Sequence, residues 1–325
     1  TCIDNPKALP AVKIDEPTVS MNFCHNTSPF AGKDGGVFLT SRHIRERLEH
    51  EAMVNVGIKV EEADGGERFK VSGRGELHLE VLIETMRREG YEMEVSRPHV
   101  ILRKIGDQVL EPVEVVVVEV NAEYQGAVMQ ALGDRKAEMK DMKTTSTGDI
   151  RMEFVITSRA LIGFRSEFLL MTRGTGVMCQ NFLEYQVYKG ELPSHPRGVQ
   201  VSNGNGPAVS FALCNLQDRG VLFITPGDMV YEGMIVGIVS KGVDIVVNPQ
   251  KAKKLTNVHA SNRDIAIQLI PSKKINLEFA LVFVDDDELV EITPLNIRLR
   301  KIQLTELERK RTVRKDRAQA EDMSQ

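Results

Sequence analysis

An α+β architecture is what the sequence predicts: two tandem βαββαβ domains followed by a mainly-β C-terminal domain. Three observations carry this. Val71 to Val95 reads strand, helix, strand, with Leu79, Leu82, Ile83 and Met86 at the three- and four-residue spacing that puts them on one helix face. The stretches before it complete the order βαββαβ, the ferredoxin-like plan, and the same order returns from Glu111. Beyond Val187 the pattern changes to short apolar runs separated by Gly-, Pro- and Asn-rich turns.

Residues 1–16 are taken as the remnant of a preceding domain or linker, 17–108 and 109–188 as the two ferredoxin-like domains, and 189–325 as the C-terminal domain with a basic tail. In the first domain Thr18 to Phe23 alternates as a strand. Ser41 to Val54 spaces Ile44, Leu48 and Met53 as the inward face of a helix, and Val56 to Glu61 and Arg68 to Val71 are strands. The organising helix starts near Gly73 and Gly75 and ends at Gly90, past a last turn carrying Arg87 and Arg88. After it, Tyr91, Met93 and Val95 alternate with Glu92, Glu94 and Ser96, the period of a half-buried strand.

In the second domain Val113 to Val120 is a β-branched strand and Tyr124 to Lys136 a helix with Val128, Met129 and Leu132 inward. Glu138 to Thr144 and Asp149 to Ile156 are strands. Ser158 is positioned to cap a helix carrying Leu161, Ile162, Phe168 and Leu169 and closed by Gly174, and Phe182 to Val187 is the last strand. Glu191 to Pro207 reads as a linker or mobile crossover. Strands are expected at Val209 to Leu216, Gly220 to Ile224, Met234 to Val239 and Ile245 to Val247, and alternation at Ile265 to Leu269. Leu277 to Val284 is read as a short helix ending at the acidic run Asp285 to Glu288, taken as a solvated turn. Arg298 to Arg317 holds nine Lys or Arg against three acids, a solvated helix or frayed tail.

Composition bounds the function. With 42% hydrophobic and 27% charged residues in 325, the chain is an ordinary globular sequence. No apolar run approaches membrane-spanning length, which predicts a soluble, cytoplasmic protein without a membrane partner. Thr1 is not an initiator methionine, and the chain reads as a piece of something longer. Cys2, Cys24, Cys179 and Cys214 are far apart, so buried free thiols are expected rather than disulfides or zinc. A net charge of −4 opposes indiscriminate binding to polyanions, so a nucleic-acid contact needs a local patch.

Catalytic and metal signatures are missing from the sequence. The loop Asn26 to Gly36 lacks the G-x-x-x-x-G-K-[ST] spacing of a phosphate loop and reads as a mobile connection. Seven scattered histidines give no H-E-x-x-H, and His78, between Leu77 and Leu79, reads as packed rather than catalytic. The aromatic strand of an RNA-recognition motif is absent, with no Trp and 5% aromatics. The segment that does stand out is Lys251 to Arg263: Lys251, Lys253, Lys254 and Arg263 without an acid, joined by Asn257, His259 and Ser261. Those seven residues are the candidate RNA contacts. Two alternatives lack an RNA function: a tandem small-molecule sensor and a protein-interaction scaffold.

Ser72 to Glu80 followed by Arg88 to Glu92 resembles the third domain of elongation factor G and its relatives, the translational GTPases. Asp15 to Val19, Asn26 to Phe30, Arg159 to Phe168, Thr172 to Gly176, Tyr231 to Met234, Val247 to Pro249, Lys253 to Asn257 and Asp285 to Glu291 resemble the TypA/BipA branch of that family. The resemblance covers essentially the whole chain. It implies domains III and V at the two βαββαβ units and a family-specific domain after about Tyr188. It further implies a ribosome-binding role in ribosome assembly and stress adaptation, with ribosomal RNA, A-site tRNA and ribosomal proteins as partners and no DNA. GTP and Mg are implied for a guanine-nucleotide domain that has no counterpart in this sequence. These residues are therefore expected to bind no cofactor and to be no enzyme by themselves. His259 stands where the family pattern has arginine.

Overall fold

A computed structural model describes residues 16–146, 148–190, 198–239, 242–252 and 268–323. The first βαββαβ run is β1 (Val19–His25), α1 (Ser41–Val54), β2 (Lys59–Ala63), β3 (Arg68–Gly73), α2 (Glu76–Arg88) and β4 (Met93–Val95). β4 pairs antiparallel with the second half of β1 (Phe23↔Val95, His25↔Met93), β3 borders β1, and β2 pairs with β3. α2 forms as its spacing requires, burying Leu79, Leu82, Ile83 and Met86.

Two short strands, β5 (His99–Val100) and β6 (Arg103–Ile105), lead into the second run. That run is β7 (Gln108–Val120), α3 (Gln125–Asp134), β8 (Glu138–Thr144), β9 (Ile150–Thr157), α4 (Ser158–Leu161), α5 (Phe164–Met171) and β10 (Val177–Val187). Its sheet has the order β10-β7-β9-β8, so last, first, third and second strands sit side by side as they do in the first run. α3 buries Val128 and Leu132, and α5 buries Phe164 and Phe168.

The C-terminal region holds β11 (Gly198–Ser202), β12 (Gly206–Pro207), α6 (Ser210–Gln217), β13 (Met229–Val230), β14 (Met234–Val239), β15 (Ile245–Val247), α7 (Leu277–Phe283), β16 (Glu288–Ile292), β17 (Ile297–Lys301) and α8 (Glu306–Met323). Its main sheet runs β15-β11-β14-β17-β16 and continues onto β4 through Val290↔Val95 and Ile292↔Met93. The described residues divide into two compact units, one of 16–21, 45–81 and 99–189, the other of 22–44, 82–98 and 190–323.

Several expectations are corrected. Residues 198–202, placed in a linker, form the buried strand β11 between β14 and β15, while 191–197 lie outside the described residues. Val209 to Leu216 is not a strand: α6 starts after extended Val209 and buries Ala212, Leu213 and Leu216 at helical spacing. Gly220 to Ile224 contributes a single bridge, Leu222↔Gly237, and the alternation at Ile265 to Leu269 falls mostly outside the described residues. Met53 points outward at 82% exposed, and Leu169 is also exposed. The helix expected from Ser158 is two helices broken at Gly163, whose φ of 72° needs no side chain, and Ser158 caps neither. Cys179 is exposed and Cys24 and Cys214 are half-buried, and none of the three is in a disulfide.

The largest correction concerns charge. Glu92 and Glu94 on the β4 stretch are 0% and 1% exposed, and Glu291 on β16 is 0%. Buried carboxylates persist only when hydrogen-bonded or paired. Glu92 accepts from Asn26 Nδ2 at 3.1 Å and from the Gly32 and Gly36 N–H groups at 2.9 and 3.2 Å. Glu94 accepts from the Thr27 N–H at 3.0 Å and Arg300 Nη2 at 3.1 Å. Glu291 accepts from Ser28 Oγ at 2.9 Å, Tyr231 Oη at 2.6 Å and Arg298 Nη1 at 3.1 Å. Asp34 meets Arg298 at 2.6 Å. The loop Asn26 to Gly36, expected to be a mobile connection, is held along its length by these donors. β17, expected within a solvated basic tail, supplies the cations from a buried strand.

Candidate nucleic-acid interface

Of the seven candidate contacts, Lys251 is described and exposed, while Lys253, Lys254, Asn257, His259, Ser261 and Arg263 lie outside the described residues. The flanks show where the basic segment is attached. Ahead of it, the Val209 N–H donates to Pro249 O at 2.9 Å and the Gln250 N–H to Asn248 Oδ1 at 2.9 Å. Behind it, the Gln217 side chain donates to Gln268 O at 3.2 Å and accepts from the Ile270 N–H at 3.1 Å, and the Lys273 N–H donates to Leu222 O at 2.8 Å. Val209 immediately precedes α6 and Gln217 is its last residue. Both flanks are thus anchored to one short, well-packed helix.

Beside the first flank is a cleft of about 820 Å³ lined by Phe211, Asn215, Leu216, Arg219, Val246 and Lys251 among others, with two cationic side chains and no acid among its described lining residues. An apolar floor with a basic rim suits a polyanion whose bases can stack or insert. Lys274 is exposed nearby in sequence to the second flank, and Lys273 covers the Phe279 ring with Nζ 3.6 Å from its centroid.

The basic tail forms α8. Thr305 opens it as a capping box, with the Glu308 N–H donating to Thr305 Oγ1 at 3.3 Å and Glu308 Oε2 accepting from the Thr305 N–H at 3.4 Å. Lys310 pairs with Glu306 at 2.6 Å and Arg309 turns back onto the Gln303 and Leu304 carbonyls, which leaves Arg311, Arg314 and Lys315 as its exposed described cations. The tail therefore spends part of its charge on itself.

The acidic run Asp285 to Glu288 is neither a bare solvated turn nor a cation loop. Asp287 and Glu288 hold Lys301 of β17 at 2.8 and 2.9 Å, Asp244 joins at 2.7 Å, and Asp285 pairs with Arg97 at 2.9 Å. Burial works against the Lys301 ammonium, and the surrounding carboxylates outweigh it, holding its pKa well above that of an ordinary lysine. His78 meets Asn55 Nδ2 at 2.9 Å, and burial, reinforced by Arg74, lowers its pKa, so it is a packed neutral imidazole. No group of ligating side chains among the described residues could hold a metal, and no helix among them is long and apolar enough to cross a membrane.

Several motifs behind the family resemblance now have positions, while Asp15 and Lys253 to Asn257 lie outside the described residues. Arg159 ties Glu111 at 3.1 Å to Tyr188 Oη at 3.0 Å, Tyr231 closes on Glu291, and Glu232 Oε1 accepts from the Glu306 N–H at 3.1 Å. They hold the fold rather than face solvent. Comparison with known sequences agrees: the profile of the TypA/BipA C-terminal domain matches residues 197–306, and that of the elongation factor G C-terminus matches 108–196. The chain carries the TypA/BipA-family C-terminal region.

Among full-length relatives, the large ribosomal subunit assembly factor BipA of Salmonella typhimurium is 54% identical over 311 residues, covering 95% of this chain and 51% of that protein. Its Haemophilus influenzae namesake is 52% identical over 313 residues (96% and 51%), and that of Synechocystis 50% over 302 (93% and 50%). The chain thus spans about half the length of the curated relatives it matches. A solved Thermus thermophilus structure, ttk003000868, aligns with a TM-score of 0.37 at 13% identity over 57% of this chain and 43% of its own.

Proposed function

We propose that this chain forms the ribosome-facing part of a TypA/BipA-type translational GTPase that serves assembly of the large ribosomal subunit and stress adaptation in the cytoplasm. In this reading the basic segment from Lys251 to Arg263 meets ribosomal RNA and tRNA near the A site. GTP and Mg belong to a separate guanine-nucleotide domain, so no catalytic step is assigned to these residues.

The observation that carries the proposal is 54% identity, over 95% of the chain, to proteins named as large ribosomal subunit assembly factors. The attachment of both described flanks to α6 supports it, because one short helix fixes where the chain leaves and re-enters the described fold on either side of the basic segment. Co-sedimentation with purified large and small ribosomal subunits tests it. The chain is expected to pellet with the large subunit in a saturable, salt-sensitive way; absence from both pellets at low salt, or equal partition into both, refutes the assignment.

A further inference from the structure

The β-branched run of β7 is interrupted by Glu114, whose register places it opposite Ile156 on β9 and Phe182 on β10. That puts it on the same side of the strand as Val116 and Val118, the buried side, and Glu114 is itself 4% exposed. No cation pairs with it among the described residues. Burial pushes its carboxyl above the ordinary range, opposed only in part by the neighbouring Ser158 hydroxyl. Ser158 is 2% exposed, and its Oγ has no hydrogen bond of normal geometry among the described residues.

Both side chains line a cavity of about 160 Å³. Glu76, at the start of α2, lines it too, fixed there by the Gly163 N–H donating to Oε2 at 2.9 Å. Val19, Leu161 and Met178 supply apolar wall, and exposed Arg165 and Gln180 complete the lining. The volume compares with the roughly 150 Å³ cavity that accepts benzene in another protein. Two carboxylates against one exposed guanidinium disfavour an anion. The apolar wall leaves too few oxygens for a calcium shell of about six to eight ligands.

We propose that this cavity binds a small alkylammonium ion, its ammonium between Glu114 and Glu76 with Ser158 Oγ accepting a third hydrogen bond, and its aliphatic body against Leu161 and Met178. A buried carboxylate with no cation beside it among the described residues is what such a ligand corrects. Affinity rises with pH through the elevated Glu114 pKa, since the carboxylate must ionise; Glu76 and Arg165 are the other charged groups facing the ligand.

Calorimetric titration of the whole chain with n-butylammonium chloride at constant ionic strength, with n-butanol and sodium chloride as controls, tests the site. Saturable one-to-one binding is expected for the amine alone, weakened at least about tenfold by Glu114→Gln, the size of one lost charge-assisted contact. Glu114→Gln should melt at or above the parent temperature, because it removes the cost of burying an ionisable carboxyl with no cation beside it. Should it fail to fold, Ser158→Val, which narrows the cavity and keeps the carboxylate, serves instead with the same expected weakening. Absence of saturable binding by the parent chain, or equal binding by parent and variant, overturns the proposal.

Discussion

Replacing Arg300 with Met tests the account of the polar core. Arg300 is 4% exposed, and its Nη2 donates to Thr27 Oγ1 at 2.9 Å and Glu94 Oε2 at 3.1 Å. Without it Glu94, 1% exposed, keeps only its Thr27 donors among the described residues and its ionised form loses its paired cation. Breaking one side of such a pair costs about 3–5 kcal/mol. Nε and Nη1 of Arg300 lack partners among the described residues, so its own burial is incompletely offset and the lower end, about 3 kcal/mol, is expected.

The pH dependence follows from Glu94. Burial raises its folded pKa above the ordinary 4.5 despite Arg300, so the native state holds this proton more tightly than the unfolded chain does. The group therefore costs stability above its folded pKa, and the cost fades as pH falls toward 4.5. Removing Arg300 raises that pKa further. The deficit of Arg300→Met, read from urea midpoints and from hydrogen exchange of the Thr27 amide, should be larger at pH 8 than at pH 5, and Arg300→Met with Glu94→Gln should recover part of it. A loss below about 0.5 kcal/mol at pH 8, or an equal loss at both pH values, refutes the reasoning.

Gly233→Ala should destabilise by about 2–4 kcal/mol in thermal or urea unfolding, because φ is 90° and a Cβ would lie 2.7 Å from the Leu304 backbone, combining a left-handed penalty with overpacking. The His78 ring protons, followed by NMR, should titrate below 6.5; its contribution to stability is then present above pH 6.5 and lost as pH falls through the folded pKa. Calorimetry with GTP should show no tight binding and phosphate release no hydrolysis, since the sequence contains no G-x-x-x-x-G-K-[ST] segment.

The repeated βαββαβ order was legible because its helices present regular apolar faces: Ile44 and Leu48, then Leu79, Leu82, Ile83 and Met86, and Val128 with Leu132 are all buried where periodicity puts them. The polar core was hidden for the opposite reason. Glu92 and Glu94 alternate with apolar residues as solvent-facing positions do, and Arg300, Arg298 and Glu291, which complete the cluster, stand about 200 residues away in sequence. Pattern reading assigns charges to water unless a partner is local. β11 was hidden by its surroundings, Pro-, Gly- and Asn-rich on both sides, although Gly198 to Ser202 is buried throughout. The motifs of the family resemblance were recognisable, yet Tyr231 and Arg159 act through residues 60 and 48 positions away. Of the candidate RNA contacts, Lys251 lines the cleft beside α6, and the flanks of its segment bond to that helix through Pro249, Gln268 and Ile270.

The measurement closest to the central claim is the salt dependence of binding to the large ribosomal subunit for the parent chain and for Lys253→Ala with Lys254→Ala. Each phosphate contact contributes roughly 0.7–0.9 to the log–log slope, so losing both contacts should flatten it by about 1.4–1.8. That flattening, with Arg311→Ala on α8 changing the slope less, is the predicted result. An unchanged slope and affinity in the double variant, with truncation of α8 abolishing binding, would contradict the assignment and move the contact to the tail.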